Sequence, residues 1–327
     1  MYKSILNLQE TNTAIKLVKD NFERKLAESL NLQRVSAPLF VTRSSGLNDD
    51  LNGHERAVSF DIKDSEEEAV IVHSLAKWKR MALKRYGFKS GSGLYTDMNA
   101  IRRDEDLDNI HSIYVDQWDW ELVIEKEDRN LETLKSIVNK VVEDVYETKQ
   151  LVKKHFPALK GNINKDVFFI TTQELLDMYP NLSAKERENE ICKKYGTVCL
   201  MQIGGALSNG QKHDGRAPDY DDWSLNCDIL FWYEPLGIAF EISSMGIRVD
   251  KEALEKQLKL ANMEERKELA FHKALLNNEL PLTVGGGIGQ SRMCLLLLEK
   301  IHIGEVQASL WNKKTYEMCE KEGIELL

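Results

Sequence analysis

Long apolar runs, proline, paired cysteines and surplus positive charge are all scarce in this 327-residue sequence. No stretch of 18 apolar residues occurs, so no segment reads as a membrane-spanning helix. The opening Met1-Tyr2-Lys3-Ser4 is no secretory signal. The five cysteines (192, 199, 227, 294 and 319) are odd in number and form no CxxC pair. They read as free thiols in a reducing cytoplasm, not as disulfide staples or zinc ligands. Lys and Arg number 44 against 53 Asp and Glu, a net charge of −9. That balance argues against broad binding to nucleic acid or an anionic membrane, while leaving room for a small basic phosphate pocket. The six prolines are scattered, and no Ser/Gly/Pro-rich linker, repeat or low-complexity stretch divides the chain. One domain over 1–327, with a helical insertion at about 122–200, fits this better than separate modules.

What is present is a globular balance, 42 % apolar and 30 % charged residues. Ile15, Phe22, Leu26 and Leu30 share one face of a helix over 9–30, followed by an extended stretch at 32–40. Short strands and turns fill 49–72, and 75–86 reads as a helix before a glycine turn at 91–93. Ile113, Val115 and Trp118 alternate as a strand, and Leu131 to Val145 mark a long amphipathic helix. Strands at 167–171 and 197–203 bracket helices at 173–179 and 183–195. A hairpin at 228–243 turns on Glu234-Pro235-Leu236-Gly237. The remainder reads as a helix over 251–277, a glycine-rich turn and an apolar helix over 288–300. Strands and helices do not alternate strictly, which points to an α+β fold with an antiparallel sheet flanked by helices.

Three tracts have the residue types that chemistry needs. Gly285-Gly-Gly-Ile-Gly289-Gln-Ser-Arg292 opens the last apolar helix. Glycines let a backbone approach a ligand, a helix start offers free N–H groups, and Arg292 suits a base or a phosphate. No dinucleotide-binding or Walker pattern fits it; a plain helix-packing turn is the competing reading. In Tyr114–Glu121, alternation places Gln117, Asp119 and Glu121 on one strand face and Trp118 and Trp120 on the other. Either a buried polar site or a solvated outer face follows. Finally, Asp228 and Glu241 face each other across the hairpin and are candidates for Mg²⁺ or an ammonium group, unless the hairpin has an ordinary charged face. Of the histidines, 54, 155, 272 and 302 stand alone, and His213-Asp214 reads as a turn.

In combination the tracts resemble class II aminoacyl-tRNA synthetases. Leu32-x-x-Val35-x-x-Pro38 resembles their motif 1, the dimer-forming element; Arg102-x-Asp104 and the next strand resemble motif 2; Gly285-x-Gly287-x-Gly289-x-x-Arg292 resembles motif 3. Arg103-Asp-Glu-Asp-Leu107 and Gln117-x-Asp119-x-Glu121 follow the aspartyl and asparaginyl branch. No room is left for that branch's anticodon-binding domain. His73-Ser-Leu-Ala-Lys-Trp-Lys-Arg80, Tyr114–Trp120, Arg216-Ala-Pro-Asp-Tyr-Asp-Asp-Trp223 and Ser243–Val249 are similar, across nearly the whole chain, to the ammonia-dependent asparagine synthetase family.

The resemblance implies a homodimer that joins L-aspartate, ATP and ammonia through a β-aspartyl-adenylate, with Mg²⁺ as cofactor and AMP and diphosphate released. It implies no nucleic-acid or membrane partner. Arg102 takes the α-phosphate and the reacting carboxylate, with Arg103 as the alternative from the synthetase wording. Asp228, Glu241 and Ser244 surround Mg²⁺ and the triphosphate, with Gly287 and Gly289 against the nucleotide; Arg292 lies on the adenine or the γ-phosphate. Lys79 and Arg248 are candidates for the carboxylates of aspartate, with Ser74 beside them. Asp119 or Asp221 takes its ammonium, and Gln117 the reacting carbonyl. Asp49 is the candidate that binds ammonium and takes its proton, against a plain Asx turn. Which of Asp49, Asp119 and Asp221 holds which nitrogen stays open. Tyr2, in place of an N-terminal cysteine nucleophile, favours free ammonia over glutamine as nitrogen source. A synthetase paralogue with another acceptor and a silent nucleotide-binding paralogue are the other readings.

Overall fold

A computed structural model describes residues 2–49, 51 and 55–327; His54, Asp50, Asn52 and Gly53 of the Asp49 loop lie outside the described residues. In chain order the elements are α1 (Leu8–Leu30), β1 (Leu32–Arg34), β2 (Phe40–Thr42), β3 (Ser59–Phe60), β4 (Ala69–Ile71), α2 (Ala76–Tyr86), β5 (Gly93–Ile101) and β6 (Tyr114–Val123). Then follow α3 (Leu131–His155), β7 (Phe168–Thr171), α4 (Thr172–Met178), α5 (Ala184–Tyr195), β8 (Thr197–Met201), β9 (Asp221–Tyr233) and β10 (Ile238–Arg248). The chain ends with α6 (Lys251–Leu260), α7 (Ala270–Leu276), β11 (Thr283–Gly289), α8 (Gln290–Leu297) and α9 (Lys313–Glu322).

An eight-stranded sheet in the order β1-β5-β6-β11-β10-β9-β8-β7 organises the molecule, and β2-β4-β3 form a small second sheet. The six strands from β5 to β8 pair antiparallel, as expected, while β1 and β7 join the two ends in parallel. Within the 122–200 segment, α3 packs on α1 and the strands β7 and β8 extend this sheet. Helix α1 starts from a capping box, Asn7 with Glu10, and ends at Asn31 in the left-handed region (φ 53°). Its buried stripe, Ala14, Val18, Phe22 and Leu26, covers one face of the sheet, where the rings of Phe22 and Trp118 lie 4.9 Å apart. Trp118 and Trp120 are fully buried there, so the alternation read in β6 is the packing of the fold. Among the described residues no helix is long and apolar enough to cross a membrane.

The structure corrects the sequence reading in three places. Strand β5, which delivers Arg102, was not anticipated: only Asn99 on it is exposed, so its sequence alternates weakly. The helix expected over 251–277 is two helices joined by Asn262 (φ 54°) and a 3₁₀ turn at Glu264–Glu268. The glycine tract is not a turn but strand β11, in the middle of the sheet, and α8 starts only at Gln290.

Candidate active site

Strand β11 lies between β6 and β10, and its register explains its composition. Gly285, Gly287 and Gly289 pair with Glu121, Asp119 and Gln117 of β6. A Cβ on Gly285 would fall 2.0 Å from Glu121 Oε2 and 2.7 Å from Arg248 Nη2, and one on Gly287 would fall 2.4 Å from Gln117 Oε1. The glycines therefore make room for neighbouring polar side chains to rise over the sheet. Above them opens a cavity of about 290 Å³, lined by Arg102, Gln117, Asp119, Asp221, Arg248 and Arg292, and also by Ser74, Glu241, Ser244, Gly287 and Gly289.

The floor of this cavity is a buried ion network. Arg248 donates through Nε and Nη2 to Glu121 (2.9 and 2.7 Å) and through Nη1 to Asp221 (2.5 Å); Thr283 Oγ1 also donates to Glu121 (2.7 Å). Lys79, fully buried, bonds Asp119, the carbonyls of Trp120 (2.9 Å) and Gly286 (3.2 Å), and lies 3.6 Å from Glu121. Burial pushes the Glu121 carboxyl up, but Arg248 and Lys79 outweigh it and hold it below its ordinary value. Asp221, with Arg248 but no lysine, keeps the upward shift that burial imposes. Lys79 and Arg248, the candidates for the carboxylates of aspartate, have their donors on protein groups here, Asp119, Glu121 and Asp221, while Arg248 also lines the cavity.

Two charged groups stand outside this network. Arg102, just past β5, lines the cavity with its Nε buried and without a partner, and no carboxylate pairs with it among the described residues. Arg103 beside it is exposed. Asp49 is 1 % exposed and among the described residues accepts only neutral donors, the Leu51 N–H (2.9 Å) and the Ser74 hydroxyl. Ser74 and Leu51 both line the cavity.

The carboxylates read as metal ligands sit at the other end. Asp228 pairs with Ser244 across the hairpin, whereas Glu241 pairs with Leu230, because a bulge shifts the register between Glu241 and Ser243. Burial first, and then Glu241, pushes the Asp228 carboxyl up to about 7 against the pull of Arg216. Arg216 binds Asp228 and Asp214 (2.7 Å), and Arg292 reaches the Glu241 carbonyl (3.1 Å). Asp228 Oδ1 is buried and has no hydrogen-bond partner. These hard oxygens fit Mg²⁺, which typically uses one or two carboxylates with the phosphates it accompanies. Among the described residues no group of three or more His, Cys, Asp or Glu side chains is arranged to hold a metal unaided.

Residues missed from sequence include Arg216, Tyr220 and Asp116, all at or beside the cavity, while His111, read from sequence as lying next to the site tracts, lines it. Arg216 and Tyr220 stand in the Arg216–Trp223 stretch, whose density of charge was the available signal. His272 does not stand alone: its Nε2 is 3.0 Å from the buried Asp219. His213 pairs with Glu188 (2.9 Å) and not with Asp214.

Comparison with known proteins places this geometry. The family model for aspartate–ammonia ligase matches residues 9–323. An aspartate–ammonia ligase of Clostridium tetani is 64 % identical over 327 residues, all of this chain and 96 % of that protein. The chain belongs to the aspartate–ammonia ligase family. Further members from Clostridium perfringens and Lactobacillus johnsonii are 61 % and 57 % identical, covering all of this chain and 97 % and 98 % of theirs. Family membership makes the chain a ligase of asparagine biosynthesis, forming asparagine from aspartate and ammonia. The fold is that of class II aminoacyl-tRNA synthetases. The asparaginyl-tRNA synthetase of Pyrococcus horikoshii, solved with asparaginyl-adenylate, superposes with a TM-score of 0.66 at 16 % identity, over 92 % of this chain and 70 % of that one. The Entamoeba histolytica enzyme gives 0.64 at 15 % identity, over 92 % of this chain and 66 % of that one.

Proposed function

We propose that the ligase activates aspartate with ATP through a β-aspartyl-adenylate and releases AMP and diphosphate. The observation that carries this reading is Arg102: a cation in the cavity wall, with no anion paired to it among the described residues, is suited to an anionic ligand. A carboxylate resists attack by an amine because oxide is a poor leaving group. In the first step a β-carboxylate oxygen bonds the α-phosphorus and the bond to diphosphate breaks. Arg102 neutralises the charge gathered on the phosphate and carboxylate oxygens. Mg²⁺, held by Asp228 and Glu241 with Ser244 beside them, would supply positive charge to the triphosphate. Arg292, beside Glu241, faces the nucleotide, for which the side-chain-free Gly287 and Gly289 leave space.

In the second step ammonia nitrogen bonds the β-carbonyl carbon and the bond to AMP breaks. Asp49 binds the nitrogen as ammonium and takes its proton, a role supported by the lack of any cation on its carboxylate among the described residues. The amino group of aspartate lies against Asp119 and Asp221; an ammonium there offsets the burial that raises Asp221. Gln117, opposite Gly289, faces the reacting carbonyl. We also propose a homodimer through residues 32–40, where Leu39 and Phe40 are exposed, and a cytoplasmic enzyme, which five buried free thiols suit. The reading is tested by measuring products from aspartate and ATP with and without ammonium. AMP, diphosphate and asparagine in equal amounts are expected; ADP and orthophosphate would contradict it.

A further inference from the structure

Tyr220 stands in the chain between two buried, ion-paired aspartates. Before it in the chain, Asp219 is wholly buried and fixed by Lys77 (3.1 Å), Arg266 (3.0 Å) and His272 (3.0 Å). After it, Asp221 is fixed by Arg248. Its own carbonyl accepts the Val249 N–H (2.9 Å), and the Arg248 guanidinium carbon lies 5.8 Å from its ring centre. The side chain lines the cavity, yet its hydroxyl has no hydrogen-bond partner among the described residues. Burial and the nearby Asp49 and Asp221 carboxylates raise the phenol above its ordinary range, so it stays protonated and neutral. A phenol in the same cavity wall as Ser74, whose hydroxyl donates to Asp49, a carboxylate with only neutral donors among the described residues, is an arrangement for a small cation with several N–H groups.

We propose that Tyr220 is a substrate-contact residue whose phenol oxygen and the Asp49 carboxylate together form the pocket for the ammonium nitrogen. This rests on the role given to Asp49 above and deepens it. Ammonium has four N–H groups; the carboxylate accepts one and later the transferred proton, and the phenol accepts another, so that the nitrogen is held as it loses its charge. Asp119 and Asp221, which are ion-paired with Lys79 and Arg248, are the carboxylates given above to the amino group of aspartate.

The test compares wild type, Tyr220→Phe, Asp49→Asn and the double variant in two assays. Aspartate-dependent exchange of labelled diphosphate into ATP, without ammonium, reads adenylate formation; asparagine formation against ammonium chloride concentration reads the nitrogen step. In Tyr220→Phe, exchange is expected within about twofold of wild type, while the KM for ammonium rises about tenfold or more. The double variant should lose less than the product of the single losses. The proposal is overturned by an unchanged ammonium KM, by independent losses, by a raised aspartate KM in exchange, or by loss of exchange along with synthesis. A wild-type enzyme that makes asparagine without diphosphate exchange contradicts the adenylate instead, and its ammonium dependence still tests Tyr220.

Discussion

The floor and the ends of the cavity contrast in how their charges are met. On the floor, Arg248, Lys79, Glu121, Asp119 and Asp221 satisfy one another, as in the Arg248–Asp221 pair at 2.5 Å and the Lys79–Glu121 pair at 3.6 Å. At the ends, among the described residues, Arg102 has no carboxylate and Asp49 has only neutral donors. Buried charge is costly unless paired, so the floor is shaped by folding. The ends leave pairing to the ligands, one an anion and the other a cation.

The largest effect should come from breaking the floor. Arg248→Ala leaves Glu121 and Asp221 buried without their partner, at about 3–5 kcal/mol of stability, and denaturant unfolding should show it with activity lost as well. Arg102→Ala should show the opposite pattern: aspartate-dependent diphosphate exchange falls about 10²–10³-fold, with stability within about 0.5 kcal/mol of wild type. Equal destabilisation by the two variants would erase the contrast. Asp49→Asn is expected to keep exchange within a few-fold while ammonium-dependent turnover falls about 10²-fold, read by quenched-flow detection of asparagine.

The smallest effect sharpens the comparison with a carboxylate away from the cavity. Asp144, between α1 and α3, accepts from Ser29 (2.8 Å), leaves Oδ2 without a partner, and is pushed up to about 6, mainly by burial. Its folded value lies above its unfolded one of about 4. It therefore favours the fold below about pH 4 and loses that contribution as pH rises through about 6. Asp144→Asn should gain about 1 kcal/mol at pH 8 and little at pH 4, measured by urea unfolding at both. Asp49→Asn should show its main effect in the nitrogen step.

Strand β6 was legible because its two faces differ in kind, with Gln117, Asp119 and Glu121 opposite two tryptophans. Strand β5 was not, since burial on both faces removes the alternation that marks a strand. The glycines of β11 carry no local signal of a strand: their reason lies in Gln117 and Glu121, more than 150 residues earlier in sequence. The site residues were read as types in a pattern, and most reached one cavity. What no pattern shows is which of them neutralise each other. The Arg248–Glu121 pair spans 127 residues, so the pairing of Lys79 and Arg248 with protein carboxylates is invisible in the sequence. His272 looked solitary for the same reason.

The most direct measurement follows oxygen from aspartate. With ¹⁸O in both β-carboxylate oxygens, turnover with ATP and ammonium should place one labelled oxygen on AMP and leave the other in the asparagine amide. Label recovered in orthophosphate, with ADP as the nucleotide product, would contradict activation by adenylation in this cavity.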